Sequence, residues 1–118
     1  MVELPDDRVP VWFGSDGAAG PDAALLVEGD AVVPAGHVMA RFRLGPGLTG
    51  HPFGCACCVP RGPVAEELGR LFLARARGDV PFFRSVVAVV ATPVGEAAIR
   101  AALARDQVSA GRFRLAQR

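Results

Sequence analysis

Apolar and polar positions change period several times along this chain, and each change predicts an element. Val38 to Leu44 alternates, with Val38, Ala40, Phe42 and Leu44 on one face and Met39, Arg41 and Arg43 on the other. That is the pattern of a half-buried strand, with the arginines solvated. Val64, Leu68, Leu71 and Phe72 fall at i, i+4, i+7 and i+8, which predicts a helix over 63–77. Pro63 suits its first position, Glu66 and Glu67 its first turn, Arg75 and Arg77 its last, and Gly78 its stop. Val86 to Val90 is unbroken and rich in β-branched residues, the mark of a central parallel strand buried on both faces. Thr92 and Pro93 then read as a cap and a first-turn proline, with Glu96 complementing the dipole of an alanine-rich helix over 94–105.

The remaining segments carry shorter signals. Val9 to Phe13 reads as the first strand, although Pro10 lacks the N–H that a ladder needs. Gly14 to Gly20 reads as a loop. Asp22 to Val27 suits either one or two helical turns or a short strand, followed by a turn at Glu28-Gly29-Asp30. Ala31 to Val33 is a candidate strand stopped by Pro34 and Gly36, and Arg112 to Ala116 is a candidate last strand with Phe113 and Leu115 on one face. Trp12, Phe13, Phe82 and Phe83 are assigned to the core. Strands alternating with helices imply an α/β fold with a partly parallel sheet flanked by helices. At 118 residues, the expectation is a single small domain over 1–118.

Composition narrows the function classes. The chain is 51% apolar with a formal net charge of +1, so it has no electrostatic footprint for nucleic acid or an anionic membrane. Its most apolar run is far too short to span a bilayer. All 13 basic residues are arginine, so no Walker-type phosphate loop with its lysine exists in this sequence. Met1, Val2 and Glu3 followed by Asp6 and Asp7 show no secretory pattern, and an odd, clustered set of cysteines is not a disulfide framework. Reduced thiols in a cytoplasmic protein are the expectation.

The chemistry concentrates in His51-Pro52-Phe53-Gly54-Cys55-Ala56-Cys57-Cys58. All three cysteines fall within four positions, and one of the two histidines lies four residues before the first. Cys55, Cys57, Cys58 and His51 are four soft or borderline donors, the set a tetrahedral Zn²⁺ takes at roughly 2.0–2.3 Å. Gly54 frees the backbone to bring neighbouring sulfurs together. A thiol redox site is the rival reading, in which a disulfide between Cys55 and Cys58 closes more easily than one between adjacent Cys57 and Cys58. Three small buried apolar side chains are the plainest reading. His37 is a weaker donor candidate than His51.

Gly54-Cys55-Ala56-Cys57-Cys58, with Arg61-Gly62 beyond it, resembles the G-C-[IL]-C-C signature of the CobW-like metallochaperone GTPases of the G3E family. Gly20 to Leu26, Ala101-Ala102-Leu103 and Arg112-Phe113-Arg114-Leu115 are similar to flanking stretches of that family. The family's phosphate loop is missing, its Asn-Glu-Phe-Gly acid falls near Ser15, and its Glu-Thr-x-Gly segment is reduced to Ala91-Thr92-Pro93. The resemblance implies a relic of a P-loop-NTPase-like sandwich with a C-x-C-C loop at 55–58. It would keep zinc-binding thiols for metal buffering, delivery or sensing, without nucleotide or its hydrolysis. In the reading that this resemblance implies, a remaining ligand comes from Asp16, water or a partner protein. An open sheet edge in such a fragment implies a homodimer or a partner protein, such as a larger GTPase.

Overall fold

The computed structural model describes residues 6–14, 20–33, 35–44 and 62–116. Five strands and three helices follow in the order β1 (Val9–Phe13), β2 (Ala23–Glu28), β3 (Met39–Phe42), α1 (Pro63–Arg77), β4 (Ser85–Val89), α2 (Pro93–Arg105), α3 (Gln107–Arg112) and β5 (Phe113–Leu115). The strands form one sheet in the order β3-β2-β4-β1-β5, and every pair in it is parallel. The sheet is therefore parallel throughout rather than in part.

Burial explains why. All six residues of β2 are buried, and Val86, Val87 and Ala88 of β4 are fully buried. Strands covered on both faces are what a parallel sheet requires. Val11, Ala24, Leu26, Phe42, Val86, Ala88 and Phe113 face the helices and pack with Leu68, Leu71, Ile99 and Leu103. Ala23, Leu25, Val27 and Val87 face the other way, against Trp12, Ala31, Val33 and Val89. Ala31 to Val33 forms no strand; it packs as irregular chain.

The helices end where local chemistry ends them. Gly78 closes α1 at φ 76°, a left-handed conformation in which its N–H and that of Asp79 reach Arg75 and Ala74 carbonyls. Asp106 closes α2 and caps α3, its carboxylate accepting from the N–H and hydroxyl of Ser109. The sequence pattern missed α3, which spans only six residues and carries no apolar stripe.

Several side-chain expectations change. β1 lies between β4 and β5, so Pro10 sits in an interior strand whose neighbour β5 is only three residues long. Phe82 is 60% exposed while Phe83 is buried. Arg41 is not a solvated charge: its guanidinium donates to the carbonyls of Gly29 and Ala31 at 2.6 and 2.8 Å, pinning the turn that follows β2. Arg43 pairs with Asp30. The two arginine pairs, Arg41 with Arg43 and Arg112 with Arg114, flank opposite edges of the sheet and form no common patch.

Candidate functional site

The chain travels through the sheet in one direction from β1 to β2 to β3, then reverses from β3 to β4 to β5. Neighbouring strands β2 and β4 therefore send their following connections opposite ways. In open parallel α/β sheets, ligands bind in the crevice outside the strand C-termini at such a switch point. Here that crevice lies between Glu28, the last residue of β2, and Ala91 and Thr92, just past β4.

Glu28 fills it. Its side chain belongs to a residue only 8% exposed, and its carboxylate is held by three donors. Oε1 accepts the N–H groups of Ala91 at 2.7 Å and Thr92 at 2.9 Å, and Oε2 accepts the Thr92 hydroxyl at 2.7 Å. The Thr92 hydroxyl oxygen in turn accepts the Gly95 N–H at 3.0 Å as the N-cap of α2. Burial pushes the Glu28 carboxyl up, but the three hydrogen bonds together outweigh it and hold the group below the usual carboxylate range. The α2 dipole favours the same ionised form. An internal carboxylate thus takes the N-terminal donors that an anionic ligand would otherwise use.

Beside this bridge, Val90, Ala91, Thr92, Pro93 and Glu96 line a hollow of about 270 Å³. Glu96 is paired with Arg100 at 3.0 Å, and the Arg100 guanidinium lies 4.8 Å over the Phe13 ring at the end of β1. The expected roles of Thr92 as cap, Pro93 as first-turn residue and Glu96 as first-turn acid all hold. The sequence places Glu28 in a turn, whereas it ends β2 and holds the bridge. No local pattern marks it, because its donors at Ala91 and Thr92 lie 63 and 64 positions away and meet it only in the fold.

The sequence-predicted metal ligands Cys55, Cys57, Cys58 and His51 lie outside the described residues, as does Asp16. The described chain leaves the sheet at Leu44, just past the C-terminal end of β3, and resumes at Gly62, which N-caps α1. Gly62 to Ala65 face Ala98, Ala101, Ala102, Arg105 and Asp106 across a groove of about 280 Å³. His37 is described, and its Nδ1 lies 3.3 Å from the Ala23 carbonyl, which ties it to the start of β2 rather than to a donor cluster. Among the described residues, no three His, Cys, Asp or Glu side chains gather as a metal site, and no helix is long and apolar enough to cross a membrane.

No protein-family model, no curated protein and no solved structure matches this chain.

Proposed function

We propose that this chain is a cytoplasmic zinc-binding protein that holds the metal through the thiolates of Cys55, Cys57 and Cys58, with His51 as fourth donor. One observation carries the reading: every cysteine of the sequence falls within four positions, with a histidine four residues before the first. Sulfur and imidazole donors suit Zn²⁺, Cu(I) or Co²⁺ over Mg²⁺ or Ca²⁺. The segment carrying these donors follows β3, the outermost strand, one strand removed from the crevice between β2 and β4. Binding deprotonates the thiols, so the metal is taken up with proton release and held less well at acid pH. Three thiolates alone, with His51 released from the fourth position, would leave that position open, which suits buffering, delivery or sensing of metal better than permanent structure.

The test is Zn²⁺ affinity in competition with a chromogenic chelator. Each of Cys55→Ser, Cys57→Ser and Cys58→Ser is expected to lower affinity by more than the roughly tenfold that loss of an outer-shell partner alone costs. Unchanged affinity in all three variants contradicts the proposal. The two-residue spacing of Cys55 and Cys58 favours one rival, a thiol redox site. That rival requires a reversible disulfide between them and fast alkylation below neutral pH, with no bound metal.

A further inference from the structure

Among the described aromatic residues, Phe82 alone is exposed, at 60%, on the connection between α1 and β4. An exposed ring by itself says little. This one is held in a specific setting. The Arg75 guanidinium lies 3.8 Å from the centroid of the Phe82 ring and 5.4 Å from that of Phe83. Its Nε donates to the Phe83 carbonyl at 2.7 Å, so the group is held by a cation–π contact and by one hydrogen bond.

Nothing described neutralises that cation. No carboxylate pairs with Arg75 among the described residues, and its two terminal nitrogens donate to none of them. Burial and the neighbouring Arg84 guanidinium both work against its charge. Arg84 follows Phe83 directly, and its side chain is 76% exposed, with Asp22 as its one acidic neighbour at 4.0 Å among the described residues. Asp79, on the turn after α1, is exposed. A partly desolvated guanidinium set over an aromatic ring, with its terminal nitrogens donating to no described residue, is pre-organised to receive a carboxylate in two-point geometry. Arg and aromatic side chains of this kind supply much of the binding energy in protein interfaces.

We propose that Arg75, Phe82 and Arg84 form a docking surface for an acidic segment of a partner protein, in which one carboxylate meets the Arg75 fork and an adjacent apolar side chain covers Phe82. Charge complementarity selects this occupant: the surface offers two guanidinium groups around an exposed ring and one loosely paired carboxylate. A second copy of the chain is less suited, because like patches would bring four arginines together. The proposal is independent of the cysteines.

The probe is a fluorescein-labelled peptide of alternating Asp and Leu with one Phe, compared with its Asn isostere by fluorescence anisotropy on the whole chain. Arginine Nε–H resonances are followed by NMR in parallel. The expected result is binding of the acidic peptide at least tenfold tighter than the Asn form, weakening with salt, with shifts centred on Arg75 and Arg84. Phe82→Ala and Arg84→Ala, both exposed changes that leave the core intact, should each weaken binding about fivefold to tenfold. Arg75→Lys should weaken it as well, because charge without the fork does not suffice. Equal binding of both peptides, or shifts elsewhere on the surface, overturns the proposal. Complete displacement by inorganic phosphate at equal concentration reduces the surface to a simple anion site, and self-association abolished by Phe82→Ala assigns it to a second copy; either result overturns it too.

Discussion

The carboxylate of Glu28 occupies the space that a β-carbon on Gly95 would need. A Cβ built on Gly95 meets Glu28 Oε1 at 2.0 Å and the carboxyl carbon at 2.3 Å. The two residues are 67 positions apart in sequence, yet the first turn of α2 can approach β2 only because one of them has no side chain. A glycine inside a helix ordinarily costs about 1 kcal/mol relative to alanine. Here that cost is offset by a bridge that ties the ends of β2 and β4 to the N-terminus of α2.

Gly95→Ala should therefore destabilise the fold by about 1–3 kcal/mol, since the carboxylate it displaces is buried and triply bonded. In a Glu28→Ala background the same substitution should be neutral or stabilising by up to about 1 kcal/mol, because only helix propensity remains. Urea unfolding of the four proteins measures the coupling directly. Additive effects would show that the two side-chain positions do not compete for space.

The same bridge predicts a pH dependence. Glu28 titrates lower in the folded protein than an ordinary glutamate, so folding favours the ionised form. Its contribution to stability is then fully present above the ordinary glutamate value and is lost as pH falls through the lower folded value. Asp30, beside Arg43, and Asp6, held at about 2 by hydrogen bonds from Arg8, contribute in the same sense. Glu28→Gln should flatten the acid limb of the stability profile relative to the wild type and leave the part due to Asp6 and Asp30. An unchanged acid limb would mean that Glu28 is not held as described.

Much of the frame was legible in the sequence, because its signals are local. The helix stripe of Val64, Leu68 and Leu71, the unbroken run of β4 and the alternation of β3 each fix an element without reference to the rest of the chain. Asp22 to Val27 left helix and strand open because a strand buried on both faces shows no alternation; only its two neighbours in the sheet decide. Glu28 and Arg41 were misread for a related reason. Charged residues near turns are usually solvated, and their partners here are set by tertiary contact, 63 and 64 positions away for Glu28 and in the turn after β2 for Arg41. Phe82 was counted as core by residue type, whereas the pairing with Arg75 that holds it at the surface depends on how α1 meets the start of β4. The cysteine cluster is legible only as composition and spacing.

Within α1, position should outweigh residue type. Leu68 is fully buried and Leu73 is 40% exposed. Leu68→Ala should cost about 2–4 kcal/mol through lost burial and a residual cavity. Leu73→Ala should stay within about 0.5 kcal/mol, and thermal unfolding of the pair distinguishes them. Equal effects would place the core-facing stripe of α1 elsewhere.

Zinc binding is tested first by elemental analysis of the chain purified under reducing, chelator-free conditions, with a free-thiol count alongside. The expected result is about one zinc per chain, thiols protected from a mild alkylating reagent, and loss of both in the Cys55→Ser, Cys57→Ser, Cys58→Ser triple variant. Absence of metal on isolation, with none retained after Zn²⁺ is added to the fully reduced protein, would contradict it.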